Sequence, residues 1–152
     1  MGRLYPVRIG APPNGGCSRV LCSGTVELLT SRVLLTPADL GCSLHFYEQT
    51  VGLGVYREWG QGDGRGVVFF LGGGGLLEVS GTGTAPVSSA LKLVLQVRDI
   101  GATREHLARQ GVAIDAEPER KPWGLLEMTA RDPDGLALIF VEVPPQHPRR
   151  RG

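Results

Sequence analysis

The chain has 152 residues, with 16 Lys plus Arg against 15 Asp plus Glu, and is 41% hydrophobic and 20% charged, the make-up of one soluble domain or of two small repeats sharing a core. Gly, Pro or a charge interrupts every apolar run before it approaches the ~20 residues of a helical bilayer span, so no transmembrane helix is expected. A formal net charge of +1 sets up no field to gather phosphates, and the one basic run, Arg149 to Arg151, falls in a Pro-rich tail, which argues against nucleic acid and membrane as partners.

Cys17, Cys22 and Cys42 make an odd count without zinc-like pairing, and the chain does not open on the apolar stretch of a secretory signal, so a reducing, cytoplasmic location is expected. Gly supplies 23 of 152 residues, about twice the usual ~7%, and clusters where turns would fall. That pattern suits short strands joined by tight turns.

Residues 1–25 show neither strand alternation nor helical periodicity and predict a disordered leader, which an early start assignment would explain if Val26 is the true start. The folded domain is expected over 26–143. Its first piece, LLTSRVLLT, is β-compatible and leads to Asp39, a helix N-cap residue. Leu40, Leu44, Tyr47 and Val51 then share one helical face that Gly52 closes, and Phe46 widens it. Strand-like VYREW (55–59), VVFFL (67–71) and LLEVS (76–80) follow, separated by GQGDGRG and GGGG turns.

The order then repeats. LKLVLQV (91–97) is a strand, Asp99 an N-cap, and Ile100, Arg104 and Leu107 a helical face ending at Gly111. Further strands are expected over 112–119, 123–130 and 136–143, with a DPDG turn at Asp132 to Gly135. Setting Leu35, Asp39 and Gly41 beside Leu95, Asp99 and Gly101 gives a constant offset of 60 (99 − 39), the mark of an internal duplication. The sequence therefore predicts an α+β fold of two tandem β-α-β-β-β modules, 27–80 and 90–143, joined by a linker at 81–89 and followed by a polar tail at 144–152.

Two such modules, the FYEQTVGLG segment (46–54) closing the first helix, and DPDG before the last strand resemble the vicinal oxygen chelate superfamily of glyoxalase, bleomycin-resistance and extradiol dioxygenase proteins, over about residues 30–143. The resemblance implies modules curled around a cleft, with a metal, where present, held by His or Gln on the first and fifth strands and Glu on the fourth and eighth. It carries these places to Arg32, Lys92, Glu78 and Ile139, so one ligand type of four is retained.

A guanidinium has no lone pair to donate, and lysine must lose its proton before it can. His45 and His106 lie in helices and His147 in the tail, and Glu142 has the wrong strand parity to replace Ile139. No metal and no other cofactor is expected. Two readings of Arg32, Glu78 and Lys92 stand: a salt-bridge network plugging a vestigial metal site, or an excess of positive charge suited to an anionic ligand. By parity Leu34 and Val94 should line the cavity with them, while Val33 and Leu35 pack under the helix. Trp59, Trp123 and Met128 either belong to the core or line the cleft and stack on a planar ligand.

The expected function is a metal-free small-molecule-binding protein resembling the bleomycin-resistance branch, with a small planar or anionic ligand held between modules. The alternative is a lyase, isomerase or dioxygenase of the same superfamily with an atypical site. Exposed sheet edges and relatives that pair two-fold predict a homodimer.

Overall fold

The computed structural model describes residues 28–84 and 89–148, so the expectation for the leader at 1–25 lies outside the described residues, as do the middle of the linker and the end of the tail. The elements run β1 (Val33–Leu35), α1 (Leu40–His45), β2 (Val55–Trp59), β3 (Gly66–Gly72), β4 (Gly75–Ser80), β5 (Lys92–Val97), α2 (Ile100–Arg109), β6 (Ile114–Arg120), β7 (Leu126–Arg131) and β8 (Ala137–Glu142). They form two four-stranded mixed sheets with the same order, β1-β4-β3-β2 and β5-β8-β7-β6. In each, the first strand runs parallel to the fourth and the remaining pairs are antiparallel. The tandem β-α-β-β-β organisation expected from the sequence is the observed one.

Both helices start as their caps dictate. Asp39 accepts from the Cys42 amide and Asp99 from the Ala102 amide, each at 2.8 Å, while each cap residue keeps an extended backbone. The helices differ after that start. α2 holds its α-helical form for ten residues, whereas α1 widens into a π-helical turn over Phe46–Thr50 before Gly52, at φ +80°, ends it. The widened turn brings both Phe46 and Tyr47 into the core, where their rings meet edge to face with centroids 5.2 Å apart.

One contiguous core joins the modules: Leu35, Leu44, Tyr47, Val67, Phe69 and Leu77 from the first, Leu95, Leu107, Met128, Leu138 and Phe140 from the second. It takes the inner faces of both sheets and the apolar sides of both helices. The other face of each sheet turns away from it, and strand parity decides which residues lie there. The expected third strand of the second module begins at Leu126 rather than 123, because a turn intervenes in which Lys121 N–H donates to the Leu125 carbonyl and Gly124 sits at φ +88°.

A polar clasp also ties the modules. The Tyr47 hydroxyl donates to Asp132 Oδ2 at 2.7 Å, Ser43 Oγ donates to Asp134 Oδ2 at 3.0 Å, and the Ala38 amide donates to Asp134 Oδ1 at 2.9 Å. Asp132 is 5% exposed and also accepts from the Leu136 and Asp134 amides. The DPDG turn is thus both a hairpin and the second module's grip on α1.

Candidate functional site

The register places the four resemblance-derived positions in equivalent pairs. Leu34 is opposite Glu78 in the first sheet and Val94 opposite Ile139 in the second, so Glu78 and Ile139 hold the same place in their modules. Leu34 and Val94 are 60% and 62% exposed on the outward faces, while Leu35 and Leu95 are buried in the core and Val33 and Leu93 pack against it. This is the alternation that a half-buried strand requires.

On the first face Arg32 Nε lies 2.6 Å from Glu78 Oε2, and Ser80 Oγ donates to Glu78 Oε1 at 2.9 Å. Glu78 is nearly buried, so an opposite charge and a hydroxyl satisfying both of its oxygens are what make that burial tolerable. Lys92 does not join this pair. It lines a separate concavity of about 250 Å³ with Thr129, Arg131 and Ile139, and forms no ion pair among the described residues. Arg131 there is already engaged, with Asp115 at 2.6 Å and the Gly135 carbonyl at 2.8 Å.

The aromatic candidates divide. Trp59, on edge strand β2, lies flat over Gly66, where a Cβ would strike the indole at 2.2 Å, and Arg57 stands 5.9 Å from its ring centroid. Trp123 is 59% exposed at the second outward face. Met128, weighed between core and cleft, is a core residue at 1% exposure, since on β7 it shares parity with Ala130. Its neighbour Glu127 takes the outward place. The sequence carried that signal, a carboxylate between Leu126 and Met128, because an inward Met128 sends Glu127 out.

Around Trp123 the second face forms a cavity of about 590 Å³, lined in part by Val94, Gln96, Glu127, Val141 and His147. Gln96, Glu127 and His147 line this cavity, and the sequence reading did not place them there. An adjoining concavity of about 640 Å³ shares Val94 and Gln96 and is bounded by Arg98 and the β3–β4 hairpin at Leu71 to Gly73.

The residues at the four resemblance-derived places do not fit a metal. Glu78 is the one donor among them, and both its oxygens are occupied. Nor do three His, Cys, Asp or Glu side chains cluster elsewhere among the described residues in a way that could hold an ion. Glu142, with its other parity, accepts from the Ile100 amide at 2.8 Å and so serves the start of α2. His106 Nε2 lies 2.7 Å from the Thr50 carbonyl, a packing contact between the modules. No described helix is long and apolar enough to cross a membrane.

Solved structures share this architecture. The chain is similar to TnmS3, an antibiotic-binding protein from Streptomyces sp. CB03234, at 24% identity and a TM-score of 0.62, covering 78% of this chain and 100% of that one. It is similar to TioX from Micromonospora sp. ML1 at 20% identity and a TM-score of 0.60, covering 75% and 95%. A glyoxalase/bleomycin resistance protein from Streptomyces sp. CB03234 matches at 25% identity and a TM-score of 0.57, covering 72% and 98%. No curated protein matches the sequence. The model of the Glyoxalase/Bleomycin resistance protein/Dioxygenase superfamily matches residues 30–140, and the chain belongs to that superfamily.

Proposed function

We propose that the chain is a metal-free, cytoplasmic binding protein of the bleomycin-resistance type, which sequesters a small planar molecule in the cavity on the outward face of its second module. The observation that carries this reading is the replacement of donor chemistry by packing chemistry. Where a metal enzyme needs lone pairs, the chain has Arg32, Lys92, Ile139 and a carboxylate already paired, and the second module carries a cavity walled mainly by Val94, Leu125, Val141, Val143 and an exposed indole. Glu78 makes a poor general base because Arg32 and Ser80 hold its oxygens, which counts against the enzyme alternative. The similarity to an antibiotic-binding protein supports the same reading.

The working form is a homodimer. The outward faces carry Leu34, Phe70 and Tyr56 on one module and Val94 and Trp123 on the other, all exposed in the single chain, and a second copy would cover part of this surface. Thermal stabilisation by a panel of natural-product-like compounds tests the function: saturable stoichiometric binding without product supports it, and turnover or one tightly bound transition metal per chain overturns it. A monomer mass by light scattering at tens of micromolar would overturn the dimer.

A further inference from the structure

We propose that the cavity around Trp123 selects a planar aromatic group bearing a positive charge, with Glu127 as its counter-charge and His147 of the tail as its wall. This deepens the binding-protein reading and rests on it. Trp123 sits in a turn fixed by hydrogen bonds from Lys121 N–H to the Leu125 carbonyl and from Gly124 N–H to the Lys121 carbonyl, both 2.8 Å. Its indole Nε1–H donates to Glu127 Oε1 at 2.7 Å, which sets the plane of the ring before any ligand arrives. The ring is 59% exposed, so a face is available for stacking.

The electrostatics of the lining decide the ligand class. Among the described lining residues Glu127 is the one carboxylate and none is Lys or Arg. The cations around it are engaged elsewhere: Lys121, whose charge also reaches Glu127, is held by Glu119 at 2.6 Å, Arg120 donates to the Gly124 carbonyl at 3.4 Å, and Arg98 belongs to the adjoining concavity. An indole face and a carboxylate side by side favour a cation on an aromatic frame through cation–π attraction and a charge-assisted hydrogen bond. Lys92, the cation that first suggested an anionic ligand, lines the other concavity with Ile139.

The tail completes the wall. His147 Nε2 lies 3.0 Å from the Trp123 carbonyl, and because a carbonyl can only accept, Nε2 carries the proton. The His147 amide donates to the Pro144 carbonyl at 2.9 Å, which folds the tail back, and the imidazole sits where a Cβ on Gly124 would come within 3.2 Å of it. Glycine at position 124 therefore serves twice, accepting φ +88° and admitting the histidine.

Titrating the full-length chain with proflavine, a planar aromatic cation, and with anthraquinone-2-sulfonate, a planar aromatic anion, tests the assignment. Proflavine should bind at least tenfold more tightly, about the scale of one charged hydrogen bond. Glu127→Gln keeps an amide oxygen for the indole and should lose about tenfold in proflavine affinity while holding or gaining affinity for the sulfonate, which also reports that the site is still folded. His147→Ala should weaken both dyes several-fold, and Glu105→Gln, on the exposed side of α2, should change neither. Equal or tighter binding of the sulfonate, or undiminished proflavine binding by Glu127→Gln, overturns the charge assignment while leaving a small-molecule binder. Saturation by neither dye overturns the inference, and the compound screen judges the binding reading separately.

Discussion

The two modules share a strand order, a capping aspartate at an offset of 60 (99 − 39) and an alternation of inward and outward residues, yet they fill the same outward place with opposite chemistry. Opposite Leu34 the first module sets Glu78, held by Arg32 and Ser80; opposite Val94 the second sets Ile139, and Lys92 nearby meets no carboxylate among the described residues. At that place the first module closes an ion pair and the second leaves an apolar side chain. A repeated scaffold can therefore carry different chemistry on its two copies, because the backbone register that holds the strands places no demand on the outward side chain.

The clasp between the modules offers the largest effect by which this comparison can be broken. Asp132→Ala removes the acceptor of three hydrogen bonds, two of them buried, and its cost in urea denaturation should be about 3 kcal/mol or more. The matching hairpin of the first module, Gly72 to Gly74, is all positive-φ glycine and bears no side chain to make such a clasp. A cost below about 1 kcal/mol would mean that apolar packing alone joins the modules.

Glu78→Gln comes next. Because Arg32 is half-exposed and screened, the pair is worth little beyond its hydrogen bonds, and a loss of about 1 kcal/mol is expected, with no metal released on dialysis. A loss above about 3 kcal/mol would show that Glu78 carries more of the first module than a closed ion pair should.

The pH dependence should be gentler. Burial raises the Asp132 carboxyl above the ordinary 3.8, against the opposing pull of the Tyr47 hydroxyl and the Leu136 and Asp134 amides. In the window above 3.8 the folded chain then holds a proton that the unfolded chain has released, so this group's contribution to stability falls as pH rises through the folded value. The stability of the natural chain relative to Asp132→Asn should accordingly shrink with rising pH across that window, and growth instead would reverse the sign of the shift. Burial and the same carboxylate push the Tyr47 phenol upward as well, which keeps it a donor throughout.

The smallest effect should come from copying one module's chemistry into the other. Ile139→Glu puts a carboxylate within the concavity that Lys92 lines, at the half-buried place equivalent to that of Glu78 in the first module. Stability should change by less than about 1 kcal/mol, since exposed ion pairs contribute little. A fall of more than about 2 kcal/mol would show Ile139 to be structural, through its packing on Leu125, Val141 and Val143.

What the sequence made legible was local or periodic. Asp39 and Asp99 announced the helices because a cap acts on amides three residues away, and the second to fourth strands of the first module stood out between glycine clusters. Tyr47 meeting Asp132 was illegible, because the two are 85 residues apart and neither needs the other to form its own element. The placement of Met128 inside and Glu127 outside turned on one step of parity, which composition alone does not settle. The tail read as polar residue without pattern, and the seating of His147 against Gly124 and Trp123 depends on a turn whose shape is set by a single glycine.

The common core has a further consequence. Because Phe69 and Leu77 of one repeat share their interior with Leu138 and Phe140 of the other, neither half has a complete hydrophobic interior of its own. A single repeat would need a second copy to complete its interior, and one continuous chain holds the two together. The two halves can therefore differ on their outer faces while they must fit each other within, so the chain should melt as one cooperative unit.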